Sequence, residues 1–583
     1  MPKLKSYYNK IVEIIRKHPL LSSAIITGVF TTVILCVCDI RYDVNDDMVM
    51  ANIVQGGYGK PDPHTVFINI LLGYILSGLA SVMPIIPWYP VVMYICLVSS
   101  LVAIGFLLCK KISNNLLSVG FFVLFLLIFG ANLLMSPQFT KTAGILACTG
   151  IFLVVDSTNR GKICKGEFVA ALLFVSFGVL YRQDMAFLCI AVTMTYLLYY
   201  ITKGKFEIKK VLTAVASVAV CVAVGGILMF AGSRIYLSDP AWAKYEVFQD
   251  DRSILFDFYF FDYGLFSEVC DANGLSEENV QYYLSTNDFA DTDIFTMEAA
   301  HELAMARSEI KVFDEFPVKE FLKKVMPGGM LKNYGWFALS IATAVMLILL
   351  DRRQFIWALI NAIGITAIEA WLFWNLRFLI ERVDISIVLT AVLSALLIGA
   401  DYSVKKPKND VEAKGKKGLY VYSLLTSVLA LILVAVGLVH FGKEIGDNRD
   451  KSAKRTESFS EAAEVCNMVA NDKEHLYIRS VMCDNPWECA YDIWRNSQKG
   501  SLENVLPLGD WLTYSPITEI IKENYGISNP YRDIIDNDKV YLLSIDANPG
   551  RMEEYIERNY NSEAKIKLLK EEGKAKIYRV FTE

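Results

Sequence analysis

Residues 20–48 read LLSSAIITGVFTTVILCVCDIRYDVNDDM, an apolar run from Leu20 to Cys38 that gives way at once to an acidic loop. The run is long enough to cross the ~30 Å hydrocarbon core of a bilayer. Lys3, Lys5, Lys10, Arg16 and Lys17 precede it and no Ala-x-Ala-like cleavage site follows, so it reads as a retained first membrane helix. Basic residues before it and carboxylates after it predict an inside N-terminus, with Asp43, Asp46 and Asp47 outside.

The rest of the chain repeats this apolar pattern. Over 583 residues, 54% are hydrophobic and 20% charged, and the mean hydropathy is +0.36. That is too apolar for one soluble globule. The net charge of -5 and the short basic clusters leave no surface for nucleic acid.

Further runs of spanning length are Val91–Cys109, Leu116–Leu134, Thr142–Val155, Phe168–Leu180, Met185–Tyr200, Val211–Phe230, Trp336–Leu350, Phe355–Trp374, Ile385–Ile398 and Leu419–Val439. The total is about eleven. Val66–Val82 is a further candidate, and loop charge decides against it. If it does not span, Lys110-Lys111, Arg160/Lys162/Lys165, Lys203/Lys205/Lys209/Lys210, Arg352-Arg353 and Lys405–Lys417 all face the cytoplasm. It is therefore expected to lie along the outer membrane face, between the prolines at 61 and 63 and the Pro87-Trp88-Tyr89-Pro90 break.

The predicted architecture is an α-helical polytopic membrane domain over 1–440, with external loops 39–90 and 233–335, and an extracytoplasmic α/β domain over 441–583. In the latter, Glu457–Ala470, Pro516–Asn524 and Arg551–Tyr560 read as helices. His475–Val481 and Lys539–Ile545 read as strands, and Ala564–Leu569 with Ala575–Phe581 as a hairpin. No glycine-rich nucleotide loop or nucleophile elbow occurs there. Cys483 and Cys489 are spaced for a local disulfide or for two free thiols.

Chemistry gathers on the outer side. Asp46 and Asp47, as neighbours on a helix or turn, point about 100° apart, so one can meet a substrate while the other orients it or holds a cation. Solvated loop carboxylates are the competing explanation. Lys141, Arg182, Arg377 and Arg382 lie at outer helix ends, against the positive-inside trend. A phosphate or pyrophosphate headgroup explains cations there. Local pairing, Arg182 with Asp184 or Arg382 with Glu381, explains each singly. A carboxylate that deprotonates an acceptor hydroxyl, beside cations that stabilise a departing phosphate, suits sugar transfer from a polyprenyl-phosphate donor. One base with in-line attack inverts the anomeric centre; retention would need a second close carboxylate. Asp288, Asp291 and Asp293 read as a solvated turn.

This order of parts resembles the glycosyltransferase C (GT-C) superfamily over Leu20 to roughly Gly335. Asn45-Asp46-Asp47 through Gly59, Pro63-His64-Thr65-Val66-Phe67-Ile68-Asn69 and Pro87-Trp88-Tyr89 are similar to a group of bacterial polytopic membrane proteins placed near it. The resemblance implies a multi-pass cell-membrane glycosyltransferase of the cell envelope. It would take a polyprenyl-phosphate sugar donor and a glycan or lipid acceptor. The resemblance also implies Asp46, or else Asp47, as general base and donor-phosphate roles for Lys141 and Arg182, with His64 and Asn69 in a substrate loop. Some members hold a divalent metal with a second acid in the next external loop. Ser136–Lys141 contains none, which weighs against a divalent metal, the one cofactor the resemblance suggests. The alternative is a transporter or flippase of a lipid-linked glycan, which would show mid-membrane ionisable residues, broken helices and an internal repeat.

Overall fold

The computed structural model describes residues 13–582 apart from 112–114, 159–162, 204–206, 259–262, 404–414, 481–491, 496–498, 546–548 and 573–574. Cys483, Cys489 and most of the Lys405–Lys417 cluster lie outside the described residues.

Each expected apolar run forms a helix. In chain order these are α1 (Pro19–Val37), the outer helices α2 (Asn45–Gln55) and α3 (Ile70–Val82), then α4 (Trp88–Lys111). Next comes α5, which runs from Asn115–Phe125 through a π turn at Leu126–Gly130 into Ala131–Met135. It is followed by α6 (Phe139–Thr158), α7 (Lys165–Lys203) and α8 (Ile208–Tyr236). The later loop carries α9 (Pro240–Arg252), α10 (Tyr263–Ala272), α11 (Glu277–Thr286), α12 (Met297–Glu309), α13 (Val318–Lys324) and α14 (Gly328–Asn333). The bundle closes with α15 (Gly335–Leu350), α16 (Gln354–Trp374), α17 (Glu381–Ser403) and α18 (Gly415–Asn471).

Among the described residues, seven helices are long and apolar enough to cross a membrane, or eight if the pair Val318–Asn333 and Gly335–Leu350, bent by 96°, is one span. The difference from eleven has physical causes. The π turn divides α5, the bend precedes α15, and α7 takes up two expected spans in one helix.

Helix α7 combines two expected spans. Its backbone leaves helical geometry at Arg182 (φ -162°, ψ 104°). A Cβ on Gly150 would lie 2.7 Å from the Ala171 carbonyl oxygen, and one on Gly144 would lie 3.2 Å from Cys189 Sγ. Gly144 and Gly150 are only ~9 Å apart along α6, whereas Ala171 and Cys189 would be ~27 Å apart on a straight helix. The chain therefore reverses at Arg182, and both halves of α7 flank α6. Helix α6 is buried along its whole length, and small residues let its neighbours approach closely.

One end of the bundle is closed by Lys110 with Asp156 and Glu167 (2.8 and 2.6 Å) and by Lys203 with Asp401 (2.8 Å). At the other end α3 starts at Ile70, later than the apolar run suggests. There Asn69 caps the helix, its Oδ1 accepting from the Leu71 N–H at 3.0 Å.

Helix α18 runs unbroken from the last apolar run to Asn471, so the expected amphipathic helix 457–470 is its continuation and position 440 lies inside it. The C-terminal strands are β1 (Leu476–Arg479), β2 (Val505–Pro507), β3 (Val540–Ile545), β4 (Ala564–Glu572) and β5 (Ala575–Thr582), with helices α19 (Pro516–Tyr525) and α20 (Gly550–Asn559) between them. They form one sheet of order β2-β1-β3-β5-β4. β1 lies parallel to β2 and β3, and β5 antiparallel to β3 and β4. β2 was not expected, because three residues carry no readable alternation.

Asp288, Asp291 and Asp293 do not form a solvated turn. Asp291 is fully buried and accepts from Tyr555, Tyr560 and Asn529 at 2.6–2.7 Å. Asp288 is buried and accepts from Ser480 at 2.5 Å, and Asp293 pairs with Arg532. These carboxylates fasten the later loop to the C-terminal domain.

Candidate functional site

The acidic pair opens α2 after the extended Val44, and the helical turn between the two carboxylates separates them. Asp47 is fully buried, and its Oδ1 accepts from Tyr89 Oη at 2.8 Å and from the Phe139 N–H at 3.0 Å. It ties α2 to the starts of α4 and α6, satisfying a backbone donor that α6 leaves open. Burial pushes its carboxyl well above the usual range.

Asp46 is half-buried and faces other charges. Burial raises its carboxyl above the ordinary value, and nearby Asp257 adds to this; Arg382, Arg182 and the Trp511 indole N–H act in the opposite sense.

Arg182 sits at the reversal of α7, where the break in the helix frees its side chain to turn toward α6. Its Nη1 donates to Thr140 Oγ1 at 3.1 Å, and its guanidinium lies over the Phe139 ring at 5.1 Å. Arg382 stands half-buried in the first turn of α17. The competing Arg382–Glu381 pair is not found among the described residues: Glu381 Oε1 accepts instead from Trp336 Nε1 at 3.2 Å and Asn132 Nδ2 at 3.3 Å. Arg377 is exposed between Leu376 (φ 57°) and Leu379 (φ 55°).

A cavity of about 390 Å³ opens beside these residues. Arg182, Asp184, Arg377, Asp257, Glu246 and Asn69 are in its wall. Burial pushes Glu246 up to about 7, helped by Asp250. A second cleft of about 830 Å³, between α1, α4 and the first half of α7, is almost wholly apolar. Its one carboxylate, Glu167, is paired with Lys110.

The structure therefore brings together Asp46, Arg182, Arg382 and Arg377, and gives the remaining candidates other partners. Lys141 is fully buried, paired with Asp43 at 3.2 Å and donating to Asn132 Oδ1 at 2.7 Å. His64 bonds Asp62 at 2.7 Å and stacks on Trp242 with centroids 4.4 Å apart. Asn69 lines the cavity as the cap of α3.

Among the described residues no three His, Cys, Asp or Glu side chains are grouped to hold a metal ion. Asp43, the acid nearest the pair in sequence, is committed to Lys141.

Two participants, Trp511 and Asp257, were not singled out from the sequence. Trp511 comes from the C-terminal domain and meets Phe67 edge-on at 4.8 Å, and Phe67 in turn stacks on Phe139 at 6.0 Å. Asp257 follows α9 and is paired with Arg252. Backbone strain marks the surroundings of Trp511 and not those of Asp257. Among the described residues, seven non-glycine residues have positive φ. Five of these, Val66, Leu376, Leu379, Asp510 and Tyr514, lie within three residues of Phe67, Arg377 or Trp511. For a β-branched residue such as Val66 (φ 62°) this conformation is a true outlier, and such strain concentrates at functional sites.

No family model and no curated protein matches the chain. Among solved structures it is similar to the archaeal oligosaccharyltransferase AglB from Archaeoglobus fulgidus, in complex with an inhibitory peptide and a dolichol-phosphate. The TM-score is 0.41 at 12% identity, over 91% of this chain and 70% of that one. It is also similar to ArnT from Cupriavidus metallidurans bound to undecaprenyl phosphate. There the TM-score is 0.39 at 9% identity, over 96% of this chain and 97% of that one.

Proposed function

We propose that this protein is a membrane glycosyltransferase that moves a sugar from a polyprenyl-phosphate carrier to a glycan or lipid acceptor at the outer face of the cell membrane. The observation that carries this reading is the nearness of one half-buried carboxylate, Asp46, to Arg182 and Arg382, whose charges oppose the effect of burial on it. Asp46 takes the proton of the acceptor hydroxyl. The acceptor oxygen bonds to the anomeric carbon as the bond to the phosphate oxygen breaks, and the electron pair leaves on the phosphate. Arg182, Arg382 and Arg377 stabilise that charge. A single base on the acceptor side gives inversion. The extracytoplasmic orientation follows from loop charge.

The test is transfer of labelled sugar from polyprenyl-phosphate donors in membranes carrying wild-type protein, Asp46→Asn or Asp47→Asn at equal abundance. Asp46→Asn should lower transfer by about 100-fold or more. Asp47→Asn keeps an acceptor for Tyr89 and Phe139 and should stay within a few-fold of wild type. Unchanged transfer by Asp46→Asn would remove Asp46 as base. Absence of transfer by wild type across a broad donor panel would favour transport of a lipid-linked glycan, to which Glu369 and Asp384, both fully buried in the bundle, would lend support.

A further inference from the structure

The later loop ends in two short helices, α13 and α14, that turn sharply into the next apolar helix. The segment Val318–Asn333 that holds them is bent by 96° from Gly335–Leu350. Four lysines fall in the first arm, whereas the second has no charged residue, so the second is the arm that enters the bilayer. Spanning helices tilt by only about 20° from the bilayer normal, and a crossing α15 therefore sets α13 and α14 along the membrane surface. Their neighbours agree with that level. Helix α16 exposes Ile356, Leu359 and Ile363 along its length and ends in the exposed Trp371 and Trp374, a residue type that favours the membrane–water boundary. Phe316 stacks on Trp374 at 6.1 Å, and Phe316 and Phe321 meet Phe373 at 5.9 and 5.6 Å.

Successive residues on α13 point about 100° apart, which sorts its side chains into four columns. Phe321 and Val325 are buried against the bundle. Beside them, Val318 and Leu322 are 57% and 50% exposed. Lys319 and Lys323, both exposed, flank that apolar column. Glu320 and Lys324, opposite it, pair with each other at 3.1 Å. In α14 the exposed Leu331 is again followed by an exposed lysine, Lys332. The sequence thus sets an exposed apolar residue directly before a lysine three times, and the column turned the other way balances its own charge.

We propose that α13 and α14 form a docking surface for the headgroups of anionic lipids: Val318, Leu322 and Leu331 enter the boundary of the acyl region, and Lys319, Lys323 and Lys332 meet headgroup phosphates. The exposed apolar residues alone would suit any lipid. The lysines beside them select negative charge. The element also braces part of the site, because a Cβ on Gly329 would lie 3.2 Å from Leu379 Cδ1, and Phe378 meets Phe373 at 5.0 Å. Arg377 stands in that same loop, so lipid held by α13 and α14 steadies the loop that bears it.

The experiment is amide hydrogen exchange, read by mass spectrometry, on full-length protein in nanodiscs of phosphatidylcholine alone or of phosphatidylcholine mixed with phosphatidylglycerol. In the anionic mixture, peptides covering 311–333 should exchange about tenfold more slowly, each engaged lysine contributing about fivefold at most. Added salt should reverse the slowing. Lys319→Gln, Lys323→Gln and Lys332→Gln combined should abolish the difference between the two lipids, with exchange in phosphatidylcholine and thermal unfolding unchanged. Lys324→Gln, from the opposite column, should keep the difference. Equal exchange of the wild type in both lipids would overturn the proposal. So would a loss in Lys324→Gln as large as in the triple variant, since the effect would then be net charge and not a docked face.

Discussion

Two adjacent carboxylates with one chemical identity have opposite fates because a helical turn aims one inward and one at the arginines. Their variants should separate cleanly. Asp47→Ala leaves the Tyr89 hydroxyl and the Phe139 N–H without their acceptor. Each such loss costs about 1–3 kcal/mol, so thermal unfolding in detergent should fall by several degrees, whereas Asp46→Ala should leave it near wild type. The pH dependence of transfer follows from the same surroundings. The Asp46 carboxyl is raised by burial, and a base works only when ionised. Transfer should therefore fall, as pH decreases, at a higher pH than for an ordinary carboxylate. Arg382→Gln removes the largest influence opposing that rise. It should move the acid limb to still higher pH while weakening donor use, visible as a higher KM for the polyprenyl-phosphate sugar.

At the level of elements, α6 and α7 make the most specific demand on sequence. A methyl group on Gly150 meets backbone at 2.7 Å, yet one on Gly226, in α8, meets nothing within 4 Å. Gly150→Ala should cost about 1–3 kcal/mol through overpacking, read as lost monodisperse protein or a lower unfolding temperature. Gly226→Ala should be neutral. Here the limits of the sequence become physical. Apolar runs were legible because hydropathy is a local sum, and every expected span lies on a helix. The reversal at Arg182 was legible as two runs separated by Tyr181-Arg182-Gln183-Asp184. Whether Lys141 would face the cavity was not, since helix rotation is set by neighbours remote in sequence. Its burial against Asp43 follows from how α6 packs. The three aspartates at 288–293 looked solvated because their partners, Tyr555, Tyr560, Ser480 and Arg532, lie far along the chain.

Across the whole molecule, the C-terminal domain is joined to the bundle by one continuous helix, and to the later loop by a buried carboxylate with three side-chain donors. Asp291→Ala should leave Tyr555, Tyr560 and Asn529 without that acceptor and loosen the later loop from the domain. The expected sign is faster limited proteolysis within 233–335, with a stability loss of about 3 kcal/mol. If Asp291 were instead a solvated turn residue, the digestion pattern would not change.

The reach of Trp511 from the C-terminal domain to Phe67 also bears on synthesis. A ribosome builds chains from the N-terminus, so the carboxylate proposed as base is made and inserted long before the residues that finish its surroundings. The first helix, the acidic loop and the whole bundle can be in place while the turn at 508–514 is still untranslated. A chain halted before that turn would carry every arginine of the site and still lack Trp511, so the surroundings of the proposed base are completed only after the bundle that holds it.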